Sequence, residues 1–74
     1  MTVIIRPFGF LKTYINGEIE KTVAAGHTVR QTMQDLGIPS DVVALVLVND
    51  ESQPKDYVLQ DGDIVKLLAV IGGG

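Results

Sequence analysis

Short runs of apolar and polar residues along the 74-residue chain predict strands grouped around one helix. The first run, TVIIRP, is rich in β-branched residues and stops at Pro7, as a short strand does. Asn16 and Gly17 favour a tight hairpin turn, and EIEKTV after them alternates apolar and polar positions, which indicates a half-exposed second strand. Between these strands, FGFLKTYING fits either a tight turn with the second strand starting near Lys12 or one long loop.

The segment HTVRQTMQDLGIPS carries the signals of a single helix. Thr28 is a typical N-cap, and Gln31, three residues later, completes a capping box. Gly37 occupies the position where helices end in a left-handed residue, and Pro39 prevents continuation. The apolar residues of the segment fall on one stripe: Val29, Met33 and Leu36. Because a short helix with one buried face is not stable alone, we expect it to lie against a sheet.

The second half of the chain contains two long apolar runs. Residues 42–48, VVALVLV, show no polar alternation and predict a central strand that is covered on both faces. A brief edge strand is expected near residues 53–57, where a proline favours an edge position. LQDGD predicts a turn, and residues 64–70 predict the last strand, with Lys66 facing solvent.

The order of elements is therefore strand, strand, helix, long strand, short edge strand and strand. A strand pair followed by a helical crossover predicts a mixed sheet, in which the crossover returns to a parallel neighbour and the helix covers one face. The expected class is α+β: a β-grasp roll with a mixed sheet of four to five strands and one main helix packed on one face. We expect residues 1–70 to form this domain and residues 71–74 to be a flexible glycine tail.

The composition narrows the classes of function. The formal net charge is −3, aromatic residues are few, and the basic residues are scattered: Arg6, Lys12, Lys21, Arg30, Lys55 and Lys66. This pattern argues against nucleic-acid binding. No apolar run approaches the roughly 20 residues of a membrane helix and no signal peptide is recognisable, so we expect a cytoplasmic protein without membrane contact. The high apolar share predicts either a dense core or an exposed interaction patch, with equal weight.

Candidate catalytic and metal-binding groups are few. The single histidine, His27, lies ahead of the helix cap, and the spacing suggests no neighbours for a metal or acid–base role. Asp61 and Asp63 flank Gly62 between two strand patterns, so a turn is a better interpretation than a catalytic carboxylate pair. The chain has no cysteine, Walker motif or dinucleotide-binding motif. We expect no metal site, no bound cofactor and no enzymatic activity in this chain alone.

The sequence ends in three glycines, residues 72–74, after the apolar run AVI. Glycines cannot pack through a side chain and are costly to order, but as a substrate they suit a narrow channel that any side chain would block. Fully extended, residues 71–74 span about 13 Å, so a terminal carboxylate can reach an active site buried in another protein. We expect the preceding residues to dock on that partner: Ala69, Val70 and Ile71. The alternative interpretation is a frayed or truncated end, or a residual tag.

Taken in order, these segments resemble the MoaD/ThiS family of ubiquitin-like sulfur carriers over nearly the whole chain. HTVRQTMQDLGI resembles the family's helix entry, VALVLVND its central strand with a final valine–asparagine pair, and LQDGDIVKLLAVIGGG its last turn, apolar strand and terminal glycines. Gly73 and Gly74 match the terminal glycine pair, and RPFG is more like the MoaD side of the family. A third glycine at Gly72, Met33 in place of the commoner leucine, and FLKTYING depart from the pattern.

The resemblance implies that this chain is a co-substrate. An activating enzyme of the ubiquitin-activating type would use ATP and magnesium to adenylate the carboxylate of Gly74, with Gly72 and Gly73 threading the active site. A persulfide-derived sulfur then displaces AMP and leaves a thiocarboxylate for an acceptor: the large subunit of molybdopterin synthase, which is slightly favoured, or the thiazole synthase of thiamin biosynthesis. Two other functions stay open: a protein modifier joined to lysines through the same glycine, and a β-grasp interaction module with an idle tail.

Overall fold

The computed structural model describes residues 1–69 of the chain. Its strands are β1 (Thr2–Pro7), β2 (Lys21–Ala24), β3 (Val43–Val48), β4 (Glu51–Ser52) and β5 (Ile64–Ala69), its α-helix is α1 (Val29–Leu36), and its 3₁₀ helices are Gly9–Ile15 and Ser40–Val42. The five strands form one sheet in the order β2-β1-β5-β3-β4. β1 and β5 run parallel and the other pairs are antiparallel, which confirms the predicted α+β roll with a mixed sheet. The predicted glycine tail, residues 71–74, lies outside the described residues.

The helix α1 begins and ends where the sequence predicts. The Thr28 hydroxyl accepts a hydrogen bond from the Gln31 backbone N–H (3.1 Å), and the Gln31 side chain accepts one from the Thr28 N–H (2.9 Å), so the capping box is complete. Gly37 adopts the left-handed conformation (φ 76°) that ends a helix without a steric penalty. Val29 and Met33 are buried in the core.

The connection between β1 and β2 differs from a tight hairpin. Asn16 and Gly17 do have positive φ angles (61° and 78°), but they end the first 3₁₀ helix, where the Gly17 N–H donates to the Lys12 carbonyl (2.8 Å). This 3₁₀ helix buries Leu11 and Ile15, so burial of these two side chains favours a compact loop over an extended second strand. Of the two interpretations, the long loop is correct.

The environment predicted for β3 is wrong in two respects. β3 lies between β5 and β4, and both of these neighbours are antiparallel to it, so the crossover through α1 does not return to a parallel neighbour. The parallel pair is instead β1 and β5. One face of β3 is also uncovered, since Leu45 is 38% exposed while Val46 is buried. An uninterrupted apolar run therefore does not require two covered faces here.

The edge strand β4 begins earlier than predicted, at Glu51. Asn49 and Asp50 both adopt left-handed backbone angles (φ 52° and 69°), which is the geometry of a two-residue hairpin turn. Such a turn reverses the chain directly after β3, so pairing restarts at Val48 and Glu51 instead of at residues 53–57.

The core lies between α1 and one face of the sheet. In β1 and β5, alternate residues are almost fully buried, and these side chains join the same apolar cluster as those of the helix: Val3, Ile5, Val29, Met33, Val65 and Leu67. Since successive side chains of a strand point to opposite faces, the intervening residues of each strand point away from the helix. The fold thus leaves the second face of the sheet without a covering layer among residues 1–69.

Candidate functional site

The uncovered face of the sheet is the first candidate site, and we call it the outer face. In β5, Ile64, Lys66 and Leu68 alternate with the buried Val65 and Leu67, so they point away from α1. Pairing places residues of β1 and β3 beside them in register: Ile4 with Ile64, Arg6 with Lys66, Leu47 with Lys66, and Leu45 with Leu68. The outer face therefore consists of seven residues on three adjacent strands.

Apolar side chains dominate the outer face. Leu45 and Ile64 are 38% and 37% exposed, whereas the equivalent positions on the opposite face are buried. A contiguous apolar sheet face without a covering layer is typical of a surface that binds another protein. Both features behind the high apolar share are thus present, an exposed apolar patch and a dense core, and the binding role of the patch stays a prediction.

Two cations occupy the middle of this apolar face. Arg6 and Lys66 are register partners in the parallel pair of β1 and β5. The Arg6 Nε lies 3.2 Å from a carboxylate oxygen of Glu20, and the Lys66 Nζ lies 2.8 Å from Asp50. The hydrogen bond from Lys66 and then its positive charge lower the pKa of Asp50, against a small opposing effect of burial. Each cation thus turns toward a carboxylate at the border of the face.

The segment after β1 adds exposed aromatic rings beside the end of β5. The Phe8 N–H donates to the Leu67 carbonyl (2.9 Å), so this segment lies next to the last residues of β5. Phe8 and Phe10 are 41% and 50% exposed. An open depression of about 300 Å³ has these lining residues: Arg6, Pro7, Phe8, Lys12, Ile19 and Glu20. Sequence reasoning assigned this segment to a turn or loop, although two phenylalanines in FGF were a signal for a contact surface.

Of the predicted docking residues, the structure describes Ala69 only. Ala69 ends β5, pairs with Val43, is half-buried and packs against the core. Its neighbour Leu68 belongs to the outer face instead. The docking role of Ala69 stays a prediction, and Val70, Ile71 and the predicted threading and modified residues Gly72, Gly73 and Gly74 lie outside the described residues.

Asp63, which the sequence indicated only as a residue of a turn, is a buried carboxylate. The DGD turn is present as predicted, but Asp63 is only 6% exposed and accepts three hydrogen bonds. The donors are the Gln60 N–H (2.8 Å), the Asn49 side-chain amide (2.9 Å) and the Tyr57 hydroxyl (3.0 Å). Burial acts to raise the pKa of Asp63, but these hydrogen bonds together outweigh it and lower the pKa.

We assign Asp63 a structural role, because it binds the Gln60 backbone N–H directly and the backbone of β5 through Asn49. The side-chain oxygen of Asn49 accepts a hydrogen bond from the Ile64 N–H (3.0 Å), and the Asn49 N–H donates to the Ile64 carbonyl (2.9 Å). Asp63 and Asn49 thereby fix the β3–β4 turn against the first residue of β5. This network keeps the register that brings Lys66 beside Arg6 and Leu47 on the outer face.

Other candidate groups form no cluster in the described part of the chain. Among residues 1–69, no group of three His, Cys, Asp or Glu side chains is arranged to hold a metal ion. His27 is exposed, and its carbonyl accepts a hydrogen bond from the Leu59 N–H (2.9 Å). None of the helices within this range is long and apolar enough to cross a membrane.

Comparison with known proteins gives a family and a set of similar structures. The model of the ThiS family matches residues 5–74. No curated protein matches the chain at a significant level. A proposed molybdopterin converting factor, subunit 1, from Pyrococcus furiosus has a TM-score of 0.75 and 18% identity, over 96% of this chain and 99% of that one.

Two other similar structures are protein complexes. A chain in the complex of subunits 1 and 2 of the molybdopterin-converting factor from Helicobacter pylori has a TM-score of 0.67 and 26% identity, with full coverage of both chains. A chain in the BexX/CysO complex of Amycolatopsis orientalis has a TM-score of 0.68 and 24% identity, over 97% of this chain and 99% of that one. These similarities confirm the β-grasp fold. Since the family match spans residues 5–74, the chain belongs to the ThiS family and is a ubiquitin-like sulfur carrier rather than a catalyst.

Proposed function

We propose that the chain carries sulfur as a thiocarboxylate on Gly74 and delivers it to an acceptor synthase. The observation that carries this proposal is the extent of the family match, which reaches Gly74 and so includes all three glycines. The described fold supports it, because β5 is the middle strand of the sheet and ends at Ala69, five positions before Gly74 in the sequence. The proposal requires that Gly74 bears a free carboxylate in the mature protein, which the intact mass of the native protein tests.

The chemistry begins with activation, because a carboxylate is a poor electrophile. A Gly74 carboxylate oxygen attacks the α-phosphate of magnesium-bound ATP in the adenylating partner, and pyrophosphate leaves. The terminal sulfur of a persulfide then attacks the acyl carbon and displaces AMP, which forms an acyl disulfide. A thiol cleaves the sulfur–sulfur bond, so that the thiocarboxylate is released and the thiol is oxidised to a disulfide. The chain contains no cysteine, so we assign the persulfide and the thiol to partners.

The chain itself supplies a docking surface and a reactive end. We assign docking to the outer face, where Leu45 and Ile64 expose apolar area around two cations. Leu68 is the last described residue of that face, and the six residues from there to Gly74 span at most roughly 20 Å. That reach lets the body of the carrier dock outside an active site while Gly74 enters it. Ala69, Val70 and Ile71 would contact the partner at the entrance.

For the acceptor, we favour the large subunit of molybdopterin synthase. The support is the 26% identity to a chain in the Helicobacter pylori complex of the two molybdopterin-converting factor subunits. A thiazole synthase of thiamin biosynthesis is the second candidate. Supplying the thiocarboxylated chain to each purified acceptor separates them, since only the true acceptor forms its sulfur-containing product and returns the chain with a carboxylate at Gly74.

The test of the carrier function is mass spectrometry of the treated chain. Purified chain is incubated with the adenylating enzyme, magnesium, ATP, a persulfide-loaded sulfurtransferase and a thiol. We expect the mass increase of one oxygen-to-sulfur exchange, located at Gly74 by fragmentation. A variant without Gly73 and Gly74 is the matched control and should gain no sulfur. Isopeptide adducts on lysines of other proteins, with no sulfur gain, would instead support a protein modifier, and no modification of either kind would contradict both functions.

A further inference from the structure

Without other charges nearby, the placement of Arg6 beside Lys66 would destabilise the fold. Two like charges in register on one face of a sheet repel each other, and an apolar surround strengthens this repulsion because it lowers the local dielectric constant. The chain as a whole is acidic, with a net charge of −3. The positive charge in the centre of its apolar face is therefore opposite in sign to the net charge of the molecule. The position therefore favours an anionic partner group.

The intramolecular carboxylates neutralise this pair only from the border of the face. Asp50 bonds Lys66, but its side chain is 78% exposed, and Glu20 reaches Arg6 from the opposite side. Ion pairs at such exposed positions are weak and exchange readily. Asp50 lines the same depression as the two cations, but its exposed side chain can turn out to water, so a group from another molecule can take its place.

The structure contains a depression at this point. It has a volume of about 260 Å³ and is lined by Arg6, Asn49, Asp50, Ile64 and Lys66. Its size accommodates one acidic side chain. Ile64 lines the depression, and the outer-face residues Ile4 and Leu47 flank the cations. A docked protein would therefore exclude water from the site, and a charge pair without water is stronger than one at a free surface.

We propose that Arg6 and Lys66 together receive one carboxylate side chain of the adenylating partner, for which Asp50 is the intramolecular competitor. This inference rests on the proposed function and adds the chemistry of the docking contact. On docking, Lys66 leaves Asp50 and turns to the carboxylate of the partner, while Asp50 returns to water. The cations thus select a partner whose complementary apolar surface carries an acidic residue at its centre, and they reject one that carries a basic residue there.

The test uses ATP–pyrophosphate exchange by the adenylating enzyme that activates the wild-type chain. Because the proposal gives Arg6 and Lys66 a role in docking and none in the chemistry at Gly74, their loss should raise KM and leave kcat unchanged. For Lys66→Gln and for Arg6→Gln, we expect KM to rise about tenfold. The double variant should be less impaired than the product of the two effects, since both cations bind the same carboxylate. The dependence of KM on salt should weaken in each variant.

Asp50→Asn separates docking from folding. Without the Asp50 carboxylate as a competitor, KM should fall about threefold. If the substitution only destabilised the chain, KM would rise instead. The matched control is Lys21→Gln, because Lys21 also lies in a strand and has an acidic partner, Glu18, at 3.8 Å. Lys21 is the register partner of the buried Ile5, so its side chain is on the other face of the sheet, and KM should not change.

The outcomes distinguish the inference from the proposed function. If the wild-type chain is adenylated and the Arg6 and Lys66 variants keep KM within about twofold, the inference is wrong and the carrier function stands. An unchanged or raised KM for Asp50→Asn also contradicts the role of Asp50 as competitor. If no adenylation of the wild-type chain occurs at all, the proposed function fails, and the inference fails with it.

Discussion

Replacement of Asp63 by asparagine tests whether the buried network fixes the end of the sheet. One carboxylate oxygen of Asp63 accepts from the Gln60 N–H and the Tyr57 hydroxyl, and the other accepts from the Asn49 amide. Asparagine has only one acceptor oxygen, so its NH₂ group must face at least one of these donors. Asn49 cannot rotate to relieve the conflict, because its own oxygen accepts from the Ile64 N–H.

The magnitude follows from the number and type of these bonds. Hydrogen bonds to a charged acceptor contribute about 1.5–3 kcal/mol each and neutral ones about 0.5–1.5 kcal/mol. The substitution removes at least one hydrogen bond and makes the remaining ones neutral. Part of this loss is offset, because the fold no longer has to bury a charged carboxylate. We expect Asp63→Asn to lower the free energy of unfolding by about 2 kcal/mol. In a domain of this size, this change lowers Tm by about 10 °C.

Urea unfolding followed by circular dichroism measures this difference. With an m-value of about 1 kcal/mol/M, the midpoint should fall by about 2 M urea. Asp61→Asn is the matched control in the same turn, since Asp61 is exposed and accepts one bond from the Thr2 N–H that an asparagine oxygen can also accept. Its effect should stay within about 0.5 kcal/mol. Equal losses in the two variants would refute the reasoning, because the turn and not the buried acceptor would then be responsible.

Three further predictions concern pH, the two faces of β5 and the helix cap. The pKa of Asp63 is lower in the folded state than the value of about 3.9 in the unfolded chain, so its ionised carboxylate stabilises the fold fully above about pH 3.9. This stabilisation is lost as pH falls through the pKa of the folded state. The free energy of unfolding, measured as a function of acid pH, should show this loss in wild type and not in Asp63→Asn. Leu67→Ala should cost about 2–5 kcal/mol in urea unfolding, whereas Leu68→Ala should cost less than about 1 kcal/mol and instead raise KM in the adenylation assay. Thr28→Ala should cost about 1 kcal/mol in thermal unfolding, and a loss confined to the experimental error would contradict the role of the capping box with Gln31.

Much of the local structure could be predicted because its causes lie within a few residues. The cap of α1 depends on Thr28 and Gln31, which are three positions apart, and its end depends on the backbone freedom of Gly37. The positive φ angles of Asn16 and Gly17 are also local in origin, because asparagine tolerates the left-handed region and glycine has no Cβ. The class of the fold and the family resemblance were also accessible, because they depend on the order of such elements along the chain.

The candidate site was less accessible, because its parts are distant in the sequence. Arg6 and Lys66 are sixty positions apart, and only the parallel pairing of β1 with β5 brings them together. The apolar run in β3 was compatible with two covered faces, and the pairing partners and the position of α1 decided that Leu45 is exposed. Asp63 in a turn sequence looks like a solvated residue until Asn49 and Tyr57 are placed beside it.

The sequence by itself therefore determined where the helix and most strands lie, that glycines follow the last strand, and which chemistry is missing from the chain. Only the tertiary structure decided the order of the strands, the identity of the uncovered face and the burial of Asp63. The physical reason is that caps, turns and alternation depend on neighbouring residues, whereas strand pairing depends on burial summed over the whole sheet. Several arrangements of the same strands satisfy the local pattern, and the packing of one helix on one face selects among them.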